Sequence, residues 1–122
     1  MKNIKLIKQL HEIWNTGNLE LIDSVYAPDF LAHWPPSSEV PERRGIEGIR
    51  LGVSRTRTAF PDWQERVLDV FGSGDRVASR YVSTGTHRGT FWGIDPTGRR
   101  IEMQEMSIFR IAGTESRASW RN

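Results

Sequence analysis

Glu105 is the residue of this chain whose setting best suits acid–base chemistry. It lies in residues 99–111, RRIEMQEMSIFRI, where polar and apolar residues interleave, and the two-residue period of a strand puts Met103, Glu105, Ser107 and Phe109 on one face. If that face points inward, the carboxylate stands beside apolar walls, where it is a better base near neutrality than in water. The competing reading pairs it with an arginine at the sheet rim. Ser107, one pleat away, could orient Glu105 or share a ligand oxygen. His33, in the extended segment 29–36 beside Trp34, can shuttle a proton near neutral pH or donate a hydrogen bond, and its plainer reading is a residue that orients a loop. Arg80 could donate to a ligand carbonyl if it faces inward, with a surface salt bridge as the default. His87 stands between Gly85 and Gly89 at a strand turn, so a structural part comes before a ligand contact. Trp34 and Trp92, both in turn contexts, are pocket-rim candidates because aromatic rings offer flat apolar faces; Trp14 reads as core. His11, at the edge of an apolar stripe, reads as surface. No two histidines have the spacing of a zinc site with a third ligand, so no metal is expected.

These residues need elements to hold them. Residues 77–86 are rich in β-branched and aromatic types, and with residues 99–111 they predict two long strands bracketing a Gly, Thr and Pro-rich connection. Upstream, Ile7, Leu10 and Trp14, flanked by Leu6 and Ile13, recur at helical spacing over residues 3–16, with Asn3 as a cap. Gly17 supplies a left-handed stop, and Asn18 caps a second helix over 19–25 that Pro28 ends. Pro35 and Pro36 keep residues 29–36 extended, and 37–44 reads as a polar loop. Ile46, Ile49, Val53 and Phe60 predict a third helix over 45–60, stopped by Pro61, and a strand over 63–71 follows. Helices placed before three or four antiparallel strands predict an α+β fold, with helices covering one face of a curved sheet and a pocket between them. The uncovered face then suits a two-fold partner, so a homodimer is expected.

The 122 residues suit one domain, 1–122. With 17 basic and 15 acidic residues the net charge is only +2, which argues against a nucleic-acid partner. The absence of cysteine removes thiolate chemistry and disulfides. The N-terminal stretch mixes charged with apolar residues instead of presenting an apolar run, and no later run reaches spanning length, so neither a signal peptide nor a membrane is expected and the location is read as cytoplasmic.

Six short motifs then occur in a telling order: Trp14-Asn15-Thr16-Gly17 with Asn18, Ala27-Pro28-Asp29-Phe30, Phe60-Pro61-Asp62, Gly74-Asp75-Arg76-Val77, Gly85-Thr86-His87-Arg88-Gly89 and Pro96-Thr97-Gly98-Arg99. As a set they resemble the SnoaL-like polyketide cyclase, or ester cyclase, family over nearly the whole chain. The resemblance implies a cone-shaped α+β barrel of the nuclear transport factor 2-like superfamily, commonly dimeric through its sheet. It also implies ring closure by intramolecular aldol condensation with acid–base catalysis and no metal or cofactor. It puts His33 at the pocket mouth and His87 inside a family motif. It departs at the C-terminus, where the family's catalytic aspartate would fall on Arg121 or beyond the end, and Ser107 stands where the cyclases carry His. Two functions follow as expectations: cofactor-independent acid–base chemistry on an apolar, carbonyl-bearing small molecule, with Glu105 and His33 catalytic and Trp34, Arg80, His87, Trp92 and Ser107 binding ligand; or a protein of the same fold that binds such a molecule without turnover.

Overall fold

Leu6, Ile7, Leu10, Ile13 and Trp14 are all buried on one stripe of α1 (Lys2–Thr16), the element that lies across the sheet. The computed structural model describes residues 2–33, 42–91, 93–112 and 117–121, with backbone alone at 2, 29, 31–33, 42–44, 112 and 117–121. Gly17 ends α1 with a φ of 73°, its N–H returning to the Ile13 carbonyl at 2.8 Å. The Asn18 side chain then accepts from the Glu20 N–H and caps a 3-10 turn (Leu19–Leu21) that runs into α2 (Ile22–Val25). The second helix expected over 19–25 is therefore a 3-10 turn and a single α turn.

Pro28 does not terminate that helix. It lies inside β1 (Tyr26–His33), where the pairing register shifts between Tyr26 and Leu31, and a residue without an N–H is tolerated at such an irregularity. β2 (Glu42–Arg44) occupies the end of the expected polar loop, and α3 (Gly45–Ala59) follows with Ile49, Gly52, Val53 and Ala59 buried. β3 (Gln64–Ser73), β4 (Arg76–Thr86), β5 (Arg100–Ala112) and β6 (Arg117–Arg121) complete a six-stranded sheet in the order β2-β1-β6-β5-β4-β3. The fold is α+β, with the N-terminal helices on a curved, open sheet. All its pairings are antiparallel except that of β1 with β6, which is parallel and was not expected.

The core lies between the helices and the inner face of this sheet. Trp14 donates its indole N–H to the Tyr26 hydroxyl at 2.9 Å, and Arg57 ties three segments together by donating to the carbonyls of Trp14, Trp63 and Pro61. The end of α3 presses so closely on the end of β4 that a Cβ on Gly85 would stand 2.9 Å from Phe60, and one on Gly89 would stand 2.7 Å from the Thr58 carbonyl. Those two glycines frame His87. Asp62 secures the same corner, accepting from the Thr86 N–H and hydroxyl at 2.7 Å each; the backbone N–H first, then the hydroxyl, hold its carboxyl below the usual carboxylate range. On the outer face Phe71 and Met106 are exposed. Among the described residues no helix is long and apolar enough to cross a membrane.

Candidate active site

The period-two alternation of β4 turns Val77, Ser79, Tyr81 and Ser83 to the inner face, and all four are buried. Register carries that face across the sheet. Ser79 stands opposite Ser107, Tyr81 opposite Glu105 and Ser83 opposite Met103 on β5, while on β3 Glu65 stands opposite Ser83 and Val67 opposite Tyr81. Three strands thus present a patch of hydroxyls and carboxylates to the interior.

Hydrogen bonds join the patch in three groups. Glu65 accepts from His11 Nδ1 at 2.6 Å through one oxygen and from Trp63 Nε1 at 3.0 Å through the other, while His11 Nε2 meets the Ser79 hydroxyl at 2.7 Å. Tyr81 and Ser107 share a hydrogen bond at 2.7 Å. Ser83 donates to Glu105 Oε2 at 2.5 Å, leaving the second oxygen of Glu105 without a hydrogen bond among the described residues. Glu105 is half-buried, so that oxygen is the open end of the patch.

The first group has the atom pairing of a charge relay: carboxylate to Nδ1, Nε2 to a serine hydroxyl. Ser79 is 0% exposed, however, and no reacting atom can approach it. The group instead locks α1 to the sheet, with Asn15 adding bonds to the Glu65 backbone in both directions. His11 and Glu65 form the floor of a cleft of about 470 Å³ between α1 and β3, with Lys8, Glu12 and Arg66 among its lining residues.

Glu105 and Ser107 are on the inner face, as their spacing predicts. Ser107 is bonded to Tyr81, and it is Ser83 that takes the expected task of orienting Glu105. Arg80 does not face inward: it lies on the outer face and donates twice to Asp69 Oδ2, at 2.7 and 3.0 Å. His87 is buried with its ring stacked on Phe60 and Nδ1 at 3.1 Å from the Thr97 hydroxyl; its Nε2 has no partner among the described residues. It stands six residues past Tyr81, roughly 20 Å along the strand, so it is not brought to Glu105. His33 is placed by its backbone, paired with Glu42 on β2. Trp34 and Trp92 lie outside the described residues. His11, expected at the surface, is 2% exposed, because the edge of the helical stripe meets a carboxylate from β3 rather than water. Sequence reasoning missed Glu65, Ser79, Tyr81 and Ser83. The alternation of residues 77–85 was the signal for the last three, and nothing local marked Glu65.

Helices closing over a curved, open sheet whose inner face holds an oriented carboxylate among hydroxyls define an α+β fold of the cone class. The chain belongs to the SnoaL-like polyketide cyclase family, whose model matches residues 4–121. It is 29% identical over 112 residues to the aklanonic acid methyl ester cyclase DauD of Streptomyces sp. (strain C5), covering 88% of this chain and 67% of that one. It is 25% identical over 113 residues to the aklanonic acid methyl ester cyclase AcmA of Streptomyces galilaeus, covering 90% and 76%. Among solved structures, IdmH of Streptomyces antibioticus superposes with a TM-score of 0.79 at 35% identity, over 99% of this chain and 89% of its own. A SnoaL-like protein of Jannaschia sp. CCS1 reaches a TM-score of 0.85 at 20% identity, over 98% and 82%, a likeness of fold. Among the described residues no group of three His, Cys, Asp or Glu side chains could hold a metal ion.

Proposed function

We propose that this protein carries out cofactor-independent acid–base chemistry on an apolar, carbonyl-bearing small molecule of the polyketide type, with Glu105 as the base. The observation that carries the reading is the half-buried Glu105 carboxylate on the inner face, one oxygen held by Ser83 and the other open. A base so placed removes a proton next to a carbonyl. The enolate then attacks a second carbonyl of the same molecule, one carbon–carbon bond forms, and the proton held by Glu105 returns to the new alkoxide. Nothing is gained or lost overall, so the product is an isomer of the substrate. The reading gives His33, at the end of β1, the part of hydrogen-bond donor at the pocket mouth, and Trp34 and Trp92 the part of flat apolar walls.

The names of DauD and AcmA supply the probe. Incubation with aklanonic acid methyl ester is expected to yield, by chromatography and mass spectrometry, a new species of unchanged mass. Ester that is neither converted nor retained by the protein would remove the polyketide-type substrate. Retention without conversion would favour the second reading, a binding protein. That reading is supported by Glu105 having no second open acid–base group beside it among the described residues: Glu65 and His11 are bonded to each other, and His87, whose Nε2 is open, stands roughly 20 Å along the strand. The proposal includes a homodimer through the outer face, supported by exposed Phe71 and Met106. Light scattering that returns a monomer at micromolar concentration would count against the dimer.

A further inference from the structure

Ser83 stands between two carboxylates. Its cross-strand partner on β3 is Glu65, and Glu105 reaches it diagonally from β5. Cross-strand partners hold their Cβ atoms about 5 Å apart, so a serine here has one proton and a carboxylate on either side. Glu65 does not compete for it. Both its oxygens are occupied, one by His11 Nδ1 and the other by Trp63 Nε1, and all three side chains are buried. The Ser83 proton is therefore committed to Glu105 Oε2.

Ser83 is 0% exposed, so water cannot draw its hydroxyl away, whereas Glu105 is half-buried on a side chain with several rotatable bonds. A glutamate left to itself at such a position samples several rotamers. We propose that Ser83 is the positioning residue for Glu105: it holds one carboxylate oxygen and thereby turns the other toward the space where a substrate proton would lie. The consequence for turnover rests on the reading of Glu105 as the base, while the positioning itself does not. The His11–Glu65–Trp63 group supports the arrangement by directing the Glu65 oxygens to His11 and Trp63, while the Ser83 hydroxyl donates to Glu105.

The test uses Ser83→Ala, which removes the donor, and Ser83→Cys, which keeps the shape at a slightly larger size and offers only a weak S–H donor. High-resolution crystal structures are expected to show one Glu105 conformation in the parent, several in Ser83→Ala and fewer in Ser83→Cys. In the isomerisation assay set out above, kcat of Ser83→Ala is expected to fall about tenfold or more with KM within about twofold, because the base is misplaced and not lost. Ser83→Cys should fall between the two. A single, unmoved Glu105 in the Ser83→Ala crystal overturns the positioning role. Loss of turnover in Glu105→Gln beside full turnover in Ser83→Ala overturns it too. Full turnover in Glu105→Gln would instead remove the base assignment, with the crystal structures still deciding for or against Ser83.

Discussion

Glu105→Gln is expected to bind a convertible substrate as the parent does and to turn it over at least about a hundredfold more slowly, the usual scale for losing a positioned general base. The replacement keeps the length and planar end of the side chain, and the carbonyl of the amide can still accept from Ser83, so the local packing has no reason to change. What disappears is a group that can take a proton. Because that group acts in the transition state rather than in binding, the loss should appear in kcat and leave KM nearly unmoved. Unchanged kcat in this variant would sink the assignment of Glu105, and a rise in KM alone would recast it as a binding residue.

Glu65→Ala should be the most damaging single change to stability among the polar residues of the inner face. The carboxylate accepts from two buried donors, the His11 imidazole and the Trp63 indole, and its removal leaves both without an acceptor beside a cavity. Breaking a buried pair by deleting one partner costs roughly 3 to 5 kcal/mol. For a domain of this size that corresponds to a fall in Tm of about 10 to 20 °C. Glu65→Gln, which can accept from one donor but turns an amide N–H toward the other, should melt between the two. A Glu65→Ala protein that melts within about 2 °C of the parent would show that the His11–Glu65 lock contributes nothing to holding α1 on the sheet.

The two residues at the centre of these predictions were not equally legible. Glu105 stands in a long alternating strand, and a period of two is enough to put it on the same face as Phe109 without knowledge of the partner strand. Glu65 stands in a strand read correctly in type and nearly in extent, yet its partners lie at both near and far separations, Trp63 two residues away and His11 54 residues away. His11 was misplaced for the same reason. A helical stripe has an edge, and whether that edge is wet depends on what the sheet brings beneath it.

Local chemistry in the sequence determined α1, its stop at Gly17, the third helix, the three long strands and the α+β class, because each rests on side-chain periodicity or on a backbone conformation that glycine adopts at no steric cost. The motif Gly85-Thr86-His87-Arg88-Gly89 was also visible in the chain, but only packing explains its glycines, which lie against Phe60 and the Thr58 carbonyl. Tertiary structure alone decided β6 and its parallel pairing with β1. That strand is five residues long with an arginine at each end, its alternation is limited to Ala118 and Trp120, too short to mark a strand by itself, and β5 and β1 supply hydrogen bonds on its two sides. It likewise decided which hydroxyl holds Glu105. Spacing along one strand pointed to Ser107, whereas the bond is made across the ladder by Ser83, and a cross-strand neighbour is fixed by register and twist, which no single segment encodes.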